Sequence, residues 1–540
     1  MIRPLSILQR AARASGFRLD AAILPPPDVA PPPGAAPARA ALAALTERVR
    51  GESDRLVEGW RDAVARDDFL PSARNLADYL ALRREDLAPL QADLSALGLS
   101  SLDRCERHVR ASLDAVAAAL ARLCGDALEP FPGPELWSEG ARRLREQRRV
   151  LFGRGAGAAI MATLPSEAAS DPLLVESYIA AGMDCARIDC AHDSPPVWRA
   201  MVDQVRRAAA RRGRSCRILM DLPGPTCRIE SLSPARPARL QIGDRLRLTP
   251  RLTAATPSDL PAFAVGLPQV VAGLQIGAPV WIDGGKIRGR VVSVDGSDRI
   301  VEIADARRKG GKLKREHRVS FPGAQLDPPP LSEADLAALP VVAECADLIG
   351  FSFVQRPRDI VALDRALATA RPGGPPIPLV LKIETLEAVR NLPRLLVQAA
   401  GARPTAAMIG RGDLAVELGP ARLTEIHEEV VRLCAAARVP VVWSAHGFDD
   451  LVKDGLPRRA ETAGAAIAQR AECVRLDKGP HVVEAIGFLA EAIGKTNRPQ
   501  AKRSARALPP HAWPLEALTL TLTPAPDPGG APVTIATRIR

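Results

Sequence analysis

Aromatic side chains are scarce in this sequence of 540 residues, where Phe, Trp and Tyr together make up only 3%. Apolar residues still account for 47%, which is a globular value, so the core must consist mainly of Ala, Leu, Val and Ile. Uninterrupted apolar runs are short as well, and none approaches the roughly 18 residues expected of a membrane-spanning helix. We therefore expect a globular chain of roughly two to four domains with no membrane partner.

Cysteine pairs with metal-binding or redox spacing are also missing. The nine Cys residues form no C-x-x-C pair, and no H-x-x-H spacing occurs, which argues against a disulfide framework and a zinc site and is typical of a reducing compartment. The segment Met1–Ala22 carries Arg and no acidic residue before Asp20, as an organelle transit peptide would. A chain this rich in Ala and Arg produces such a segment by chance, so we predict a cytoplasmic protein and keep the transit peptide as the alternative.

Lysine is rare too, with nine residues among the 73 basic ones, so Arg accounts for most of the net charge of +11. A basic chain can bind nucleic acid or an anionic substrate. The Arg residues are scattered along amphipathic helices such as Val205–Arg214, without aromatic residues interleaved among them. We interpret the charge as a solvated basic surface and predict no nucleic-acid partner.

The two ends of the chain differ from its middle. Residues 1–38 contain Pro-rich runs and residues 497–540 are Pro-rich and basic, so both are predicted to be disordered. Residues 39–150 show Leu and Ala at helical spacing, followed by an Arg-rich stretch at 141–149. We predict a helical N-terminal domain that ends in this stretch as a linker.

From residue 157 apolar strands alternate with amphipathic helices. Eight strands are predicted, at Ala158–Leu164, Cys185–Cys190, Arg217–Asp221, Leu348–Val354, Leu379–Ile383, Ala406–Arg411, Val439–Ser444 and Cys473–Leu476. Each is followed by a helix, such as Leu386–Ala400 or Arg459–Arg470, except the third. After the third, residues 229–325 show short Val, Ile and Leu alternation with Gly-rich turns, which indicates an inserted β domain.

This alternation predicts an α/β fold, a (β/α)₈ TIM barrel. The barrel would comprise residues 151–228 and 326–496, with a small β-barrel domain inserted after the third strand and the α-helical domain at the N-terminus. A doubly wound open sheet is the competing architecture, although it usually has fewer parallel strands.

Charged residues stand at the predicted carboxyl ends of the strands, where such a barrel has its active site. Lys382 and Glu384 are two apart on the fifth strand and so point to the same side. Asp413 follows the sixth strand in the run Gly410-Arg-Gly-Asp. The carboxylates suit Mg²⁺, and Lys suits a developing oxyanion. A structural Lys–Glu ion pair and a Gly-Asp turn are the simpler interpretations of each segment alone.

The second and third strands also end in charged residues. Arg187 and Asp189 share one side of the second strand, and Asp221 ends the third, with Arg228 on the turn after it. Arg is the usual partner of a phosphate or carboxylate. Three histidines, His192, His317 and His446, are isolated in the sequence. For each, a packing or capping role is as well supported as acid–base catalysis.

In this order the segments resemble the pyruvate kinase family over about residues 155–495. The resemblance is carried by Ala162-Thr163-Leu-Pro165-Ser166, Arg187-Ile-Asp-Cys-Ala-His192, Asp221-Leu-Pro-Gly-Pro-Thr-Cys-Arg228, Ile282-Asp-Gly-Gly-Lys-Ile287, Phe321-Pro-Gly-Ala324, Phe351-Ser352-Phe353, Lys382-Ile-Glu384, Gly410-Arg-Gly-Asp-Leu414 and Pro457-Arg-Arg-Ala-Glu461. Lys-Ile-Glu alone is a weak signal. The ordered set, with a domain inserted after the third strand, is a strong one.

The resemblance implies that phosphoenolpyruvate and ADP are the substrates. It implies that Arg187 holds the transferred phosphoryl group and that Lys382 stabilises the enolate. Glu384 and Asp413 would bind Mg²⁺ (or Mn²⁺). The substrate-binding residues would also include Ser352, Gly412 and Asp413, and the nucleotide-binding residues would be Arg228, Thr163 and Pro165. A K⁺ site, if kept, would consist of Asp189, Asp221 and the carbonyl of Leu222.

The sequence also departs from the family pattern. Ala191 and Leu222 replace a Ser and a Thr of the K⁺ site, which puts potassium dependence in question. The seventh strand ends in Ser444-Ala445-His446, so the family's Thr, which contacts substrate and assists protonation of the enolate, is missing, and Ser444 or His446 is the candidate replacement. Residues 497–540 are too few for the family's C-terminal regulatory domain, which contributes to its tetramer, so a homo-oligomer is left open.

Three functions are consistent with these residues. The first, which we favour, is a glycolytic pyruvate kinase that converts phosphoenolpyruvate and ADP to pyruvate and ATP. The second is a Mg²⁺-dependent aldolase or lyase acting through a pyruvate enolate, which also uses a strand end such as Ile383-Glu-Thr385 but needs neither Arg187 nor the inserted domain. The third is a weak or inactive regulatory protein that binds a phosphorylated metabolite.

Overall fold

The computed structural model describes residues 31–126, 131–153, 157–234, 239–253, 256, 259–324, 327–444, 448–458, 461, 464 and 470–495. Most of the two segments predicted to be disordered, and most of the helix predicted at Arg459–Arg470, lie outside these ranges. Within them, no helix combines the length and the hydropathy needed to cross a membrane.

The strands and helices are numbered in chain order. The strands are β1 (Ala159–Thr163), β2 (Cys185–Asp189), β3 (Arg217–Asp221), β4 (Ile229–Ser233), β5 (Arg245–Thr249), β6 (Ala262–Val265), β7 (Pro279–Ile282), β8 (Ile287–Asp295), β9 (Asp298–Ala306), β10 (Val319–Ser320), β11 (Leu348–Phe351), β12 (Leu379–Ile383), β13 (Thr405–Ile409), β14 (Val441–Ser444) and β15 (Cys473–Leu476).

The helices cover the barrel and form the N-terminal region. They are α1 (Ala35–Gly59), α2 (Leu70–Arg84), α3 (Ala88–Ala96), α4 (Val109–Leu123), α5 (Pro134–Phe152), α6 (Pro172–Ala181), α7 (Pro195–Arg211), α8 (Pro268–Gly273), α9 (Glu333–Cys345), α10 (Pro357–Ala370), α11 (Leu386–Arg390), α12 (Leu392–Ala400), α13 (Arg411–Leu418), α14 (Pro420–Ala436), α15 (Asp449–Asp454) and α16 (Val482–Lys495), with 3₁₀ turns at Arg61–Ala63 and Ser166–Ala169.

Strands β1–β3 and β11–β15 close into a barrel in the order β1-β15-β14-β13-β12-β11-β3-β2, and every neighbouring pair is parallel. This confirms the predicted (β/α)₈ barrel and excludes the open doubly wound sheet. Because side chains alternate between the two faces of a strand, every second residue of these strands points into the barrel.

The interior of the barrel is apolar at one end and charged at the other. At the amino-terminal end of the strands, Met161, Val380 and Val442 pack together with Leu151 and Phe152 of α5. Helix α5 thereby closes this end of the barrel. The inward positions near the carboxyl ends instead carry charged side chains, which places the chemistry at the face expected for this fold.

A predicted helix and a predicted strand of the barrel differ from the structure. The helix predicted at Leu386–Ala400 is divided into α11 and α12 at Asn391, where Pro393 cannot continue the hydrogen bonding of a single helix. The sixth strand ends at Ile409, and Asp413 lies in the first turn of α13. The acidic residue predicted at a strand end therefore sits on a helix that begins immediately after the strand.

The inserted domain between β3 and α9 is a seven-stranded mixed sheet in the order β10-β7-β8-β9-β5-β6-β4. Its longest hairpin, β8–β9, turns at Gly296, whose φ of 59° suits glycine. The two end strands meet, because Arg228 just before β4 forms a bridge with Arg318 just before β10. The sheet therefore curls on itself around its own apolar core, which includes Phe263 and Val301.

The N-terminal region consists of helices α1–α5, as predicted, and α1 begins a few residues before the predicted start at residue 39. The Arg-rich stretch 141–149, predicted as a linker, is instead part of α5. Leu144 and Leu151 bury one side of this helix, whereas Arg142 pairs with Glu146 one turn away at 2.6 Å. The high Arg content concealed the helical spacing of the few apolar residues.

The N-terminal helices pack directly on the barrel. The side-chain amide of Asn75 in α2 donates to the carbonyl of Ala436 at 2.8 Å, and the backbone N–H of Arg66 donates to the carbonyl of Gly401 at 2.9 Å. A single apolar core continues from these helices into the layer around the barrel. The region is therefore joined to the scaffold that carries the barrel strands.

Candidate active site

Four charged side chains meet at the carboxyl ends of β2, β3 and β12. The Nε of Arg187 donates to Oδ2 of Asp221 at 2.8 Å, and the Nζ of Lys382 lies 3.3 Å from the same oxygen. Lys382 also pairs with Oε1 of Glu384 at 3.2 Å. None of the four residues is more than 8% exposed. One carboxylate thus holds two cations from different strands at a site largely closed to water.

The charges in this cluster support one another. Burial by itself would raise the pKa of Asp221, but the attraction of Lys382 and Arg187 outweighs burial and lowers that pKa to about 2. For Arg187, burial would lower the pKa, yet Asp221 and Asp189 raise it above its usual value. Asp221 and Arg187 are therefore both ionised at neutral pH.

The Arg187 guanidinium is held in one orientation by residues of three strands. Besides Asp221, its Nη1 donates to Oγ1 of Thr163 at 3.2 Å and its Nη2 lies 3.1 Å from Oδ2 of Asp189. Thr163 in turn donates to the carbonyl of Leu476 at 3.0 Å. A guanidinium fixed in this way is preorganised to bind an anion at the mouth of the barrel.

Ser352 holds the ammonium group of Lys382. Lys382 donates to Oγ of Ser352 at 2.7 Å, and this hydroxyl donates to the carbonyl of Leu222 at 2.6 Å. Gly224 makes the arrangement possible, because it has a φ of 73° and a Cβ there would lie 2.8 Å from Cβ of Ser352. The loop after β3 is fixed from the other side by the buried Asp335 of α9, which accepts from the N–H of Gly224 at 2.9 Å.

Glu384 is positioned by the backbone on both sides of it. Its Oε2 accepts a hydrogen bond from the N–H of Phe353 at 2.9 Å. A Cβ at Gly410 would lie only 2.4 Å from Cγ of Glu384, so the loop that leads to Asp413 approaches this closely only because residue 410 is glycine. The ends of the fifth and sixth barrel strands therefore lie close together, as predicted.

Asp413 makes its ion pair outside the Lys382 cluster. Its carboxylate pairs with Arg318 of the inserted domain, and the Arg318 guanidinium also lies over the ring of Phe353, 5.1 Å from its centroid. Burial lowers the pKa of Arg318, and the charge of Glu384 opposes this effect. The inserted domain thus reaches into the mouth of the barrel through one side chain.

Glu384 and Asp413 are the carboxylates predicted to bind Mg²⁺, and each already pairs with a cation of the protein. Mg²⁺ is usually bound by one or two carboxylates together with substrate phosphates and water, and seldom by an all-protein cage. In the part of the chain that the structure describes, no group of three or more His, Cys, Asp and Glu side chains could hold a metal ion by itself. A Mg²⁺ site at Glu384 and Asp413 would therefore need substrate phosphate and water to complete it, and Asp413 would have to leave Arg318.

The oxygens predicted to bind K⁺ already have partners in the protein. The carbonyl of Leu222 already accepts a hydrogen bond from Ser352. The carboxylates of Asp221 and Asp189 both pair with Arg187. Each oxygen donor of the predicted site therefore already faces a protein donor or cation.

The predicted nucleotide-binding residues occupy different settings. Arg228 lies where the inserted domain begins, and its Nη1 donates to the carbonyl of Glu316 at 3.0 Å. Thr163 is 2% exposed and points at Arg187. Pro165 lies in the half-buried loop after β1. Arg228 and Pro165 are thus partly exposed, whereas Thr163 is buried.

Comparison with known proteins assigns this architecture to a family. The family model for the pyruvate kinase barrel domain matches residues 156–480. The chain belongs to the pyruvate kinase family. It is similar to a pyruvate kinase of Hypocrea jecorina, with 28% identity over 58% of this chain and 57% of the relative. It is also similar to one of Staphylococcus aureus (strain USA300), with 26% identity over 55% of this chain and 48% of the relative. The chain thus spans about half the length of these curated relatives.

Within this pyruvate kinase fold, Arg475 is a further charged residue beside the Arg187 cluster, and it was not predicted from the sequence. It points inward from β15, it is 8% exposed, and its Nη2 donates to Oδ2 of Asp477 at 2.7 Å. Burial and the neighbouring charge of Arg187 lower its pKa. Its spacing could have predicted its inward orientation, because Arg475 is two residues from the inward Cys473 on an otherwise apolar strand.

The end of the seventh strand, where the chain departs from the pyruvate kinase pattern, is described only in part. Ser444 is the last residue of β14 and is 2% exposed, whereas His446 lies outside the described ranges. His192 is exposed, and its carbonyl accepts from Nε1 of Trp198 at 2.8 Å. That contact involves the backbone of His192 and not its imidazole.

Proposed function

We propose that the protein is a phosphotransferase of the pyruvate kinase type, which converts phosphoenolpyruvate and ADP to pyruvate and ATP in cytoplasmic glycolysis. The observation that supports this proposal most is the cluster of Arg187, Asp221 and Lys382. It provides two fixed cations at the mouth of the barrel, one suited to a phosphoryl group and the other to an enolate oxygen.

Binding of the substrate would depend on the guanidinium groups. Arg187 is held rigidly and would bind the phosphoryl group by the paired N–H bonds that this side chain forms with phosphate oxygens. Arg475 lies beside it and adds a second guanidinium on the same side of the barrel. The backbone at Gly412 and Asp413, in the first turn of α13, would hold the substrate carboxylate near the positive end of that helix.

The chemical step would be a transfer between two oxygens. The P–O bond to the enol oxygen breaks while a β-phosphate oxygen of ADP forms a new bond to the same phosphorus. The electron pair stays on the enol oxygen, where the Lys382 ammonium group stabilises it. C3 of the enolate then takes up a proton to give pyruvate, and Ser444 at the end of β14 is the described side chain closest in the chain to the family's missing Thr.

A divalent ion would neutralise the charge that spreads over the transferred phosphoryl group. Glu384 and Asp413 are the residues that would hold it. For Asp413 this requires release from Arg318, so the inserted domain and the ion compete for one carboxylate.

The ion pair of Arg318 with Asp413 favours a second candidate function. A protein whose Asp413 stays paired with Arg318 would bind a phosphorylated metabolite at Arg187 without transferring its phosphoryl group. Such a protein would act as a regulatory sensor, and the helices packed beneath the barrel would be the region that transmits binding.

One assay separates these functions. The purified full chain is given phosphoenolpyruvate, ADP and Mg²⁺, and pyruvate and ATP are both quantified. Equal amounts of the two products support the phosphotransferase. Phosphoenolpyruvate that raises the melting temperature without turnover supports the sensor. Pyruvate released from a hydroxy-oxo acid in the absence of nucleotide would instead indicate a lyase and overturn both.

A further inference from the structure

A second cavity lies at the opposite end of the barrel from the candidate active site. It has a volume of about 90 Å³ and lies between α2, α5 and the loops that lead into β13 and β14. Phe69 and Ser72 line it from α2, Arg143 from α5, and Thr405 and Arg438 from the barrel. The cavity is therefore built jointly by the N-terminal helices and the barrel.

Arg438 is the unusual residue of this cavity. It is 7% exposed, and among the described residues its side chain makes one hydrogen bond, from Nη2 to the carbonyl of Arg107 at 3.1 Å. Its Nε and Nη1 are buried and have no partner among the described residues. Burial lowers its pKa to about 10, and Glu139 opposes this effect, so the guanidinium is charged at neutral pH. A buried charge without a counter-ion is costly.

Two further guanidinium groups line the same space. Arg66 forms a bidentate pair with Asp68, its Nε lying 3.0 Å from Oδ1, and Arg143 donates from Nε to Glu139 at 2.7 Å. Of the two carboxylates that also line the cavity, Asp68 is neutralised by Arg66, and Glu146 pairs with Arg142 of the same helix. Neither of these carboxylates therefore neutralises the charge of Arg438.

The size and chemistry of the cavity define which ligand could neutralise the charge of Arg438. A buried water needs only about 10–15 Å³ of such space, so the cavity holds several waters or one small polyatomic ion, and it is too small for a nucleotide. Unpaired guanidinium N–H groups match the oxygens of phosphate, as they do those of a carboxylate. We propose that this cavity binds a phosphate-class oxyanion, either inorganic phosphate or the phosphoryl group of a small metabolite, with Arg438 as its main ligand.

Binding at this position would link the N-terminal helices to the barrel. The anion would contact groups from α2, α5 and the loop before β14, and so it would stabilise the folded chain in proportion to its saturation. This site shares no residue with the Arg187 cluster, and the inference therefore stands or falls independently of the proposed phosphotransferase activity.

The test uses crystals of the full chain soaked in tungstate, a heavy phosphate analogue, together with calorimetric titration of inorganic phosphate and of glycerol 3-phosphate. Three proteins are compared: the wild type, Arg438→Met and Arg403→Met. Arg403 is a matched control, because it is also a buried Arg at the amino-terminal end of the barrel, but it pairs with Asp364 and does not line the cavity.

We expect anomalous density beside Arg438 in the wild type and in Arg403→Met, and its loss in Arg438→Met with at least a tenfold weaker phosphate affinity. Binding of both titrants would indicate a phosphoryl-group site, and binding of phosphate alone a site for the free ion. If Arg438→Met does not fold, Arg143→Gln should weaken phosphate binding in a folded protein. An empty cavity in the wild type, or unchanged density in Arg438→Met, would overturn the proposal.

Discussion

Arg318 forms an ion pair with Asp413, so the inserted domain neutralises one of the two carboxylates proposed to hold Mg²⁺. We expect Arg318→Gln to tighten the binding of Mn²⁺, because the metal ion would no longer have to displace a competing guanidinium. A partly exposed ion pair contributes up to about 1 kcal/mol, which corresponds to a change in Kd of about threefold to fivefold. Free Mn²⁺ can be followed by electron paramagnetic resonance without any turnover.

Arg288 offers a control within the same domain. Its guanidinium lies over the ring of Trp281, 4.8 Å from the centroid, in the way that Arg318 lies over Phe353. Arg288→Gln should leave Mn²⁺ affinity unchanged. Equal affinities for the wild type and Arg318→Gln would show that Arg318 and the metal ion do not compete.

Arg475 should contribute to binding of the phosphoryl group. We expect Arg475→Met to lower kcat/KM for phosphoenolpyruvate by about 10- to 100-fold, since a hydrogen bond to a charged group contributes about 1.5–3 kcal/mol. Arg475→Lys should recover part of the loss. Steady-state kinetics and the phosphoenolpyruvate-dependent rise in Tm measure the effect, with Arg403→Met as the control for loss of a buried Arg. A Tm rise in Arg475→Met equal to that of the wild type would exclude the contact.

Turnover should not require potassium. The carbonyl of Leu222 and the carboxylates of Asp189 and Asp221 already face donors of the protein. We therefore expect the rate of pyruvate formation to change less than about twofold when K⁺ is replaced by tetramethylammonium at constant ionic strength, since such a change is below about 0.4 kcal/mol. A loss of activity that K⁺ restores with saturation would show that these oxygens rearrange around the ion.

Asp221 should be important for stability as well as for the site. Asp221→Asn leaves Arg187 and Lys382 without their shared buried carboxylate, and breaking a buried pair in this way costs about 3–5 kcal/mol. Chemical denaturation measures the free energy of unfolding. Asp364→Asn, which removes the partner of Arg403 at a half-buried position, should cost less.

The pH dependence of stability tests the same residue. The pKa of Asp221 is about 2 in the folded chain and about 3.9 when unfolded. Between these values the unfolded state binds more protons, so the contribution of Asp221 to stability is complete above about pH 4 and is lost as the pH falls toward 2. Below about pH 4, the free energy of unfolding of Asp221→Asn should fall less steeply with decreasing pH than that of the wild type. An identical fall would mean that Asp221 is not charge-paired in solution.

Most of the barrel could be predicted because its signals are local. Strands such as Leu379–Ile383 are short and apolar, and two charged residues two apart at a strand end can only share a side. That spacing placed Lys382 and Glu384 on one side of the strand, and their ion pair at 3.2 Å was the simpler interpretation of the segment. Asp413 was predicted at the mouth of the barrel, and it lies in the first turn of the helix that follows the sixth strand.

The remaining features depend on contacts between distant segments. The pairing of Arg318 with Asp413 requires the orientation of the inserted domain against the barrel, which no spacing in the sequence encodes. To predict Arg475, one must know which residues of the eighth strand point into the barrel. Ser352 was predicted to bind substrate, but its contact with Lys382 depends on the turn after the fourth barrel strand. The helix over 141–149 was missed because Arg residues dominate its composition and its apolar positions are few.

The claim that the barrel mouth transfers a phosphoryl group is tested most directly by the kcat of Lys382→Met for formation of ATP from phosphoenolpyruvate and ADP. Lys453→Met, at an exposed position on α15, is the control. The expected result is turnover by the wild type and by Lys453→Met, and a loss of about 10²–10³-fold or more in Lys382→Met, with phosphoenolpyruvate still raising its Tm. Wild-type turnover by Lys382→Met, or a wild-type protein that binds phosphoenolpyruvate but forms no ATP, would contradict the proposed function.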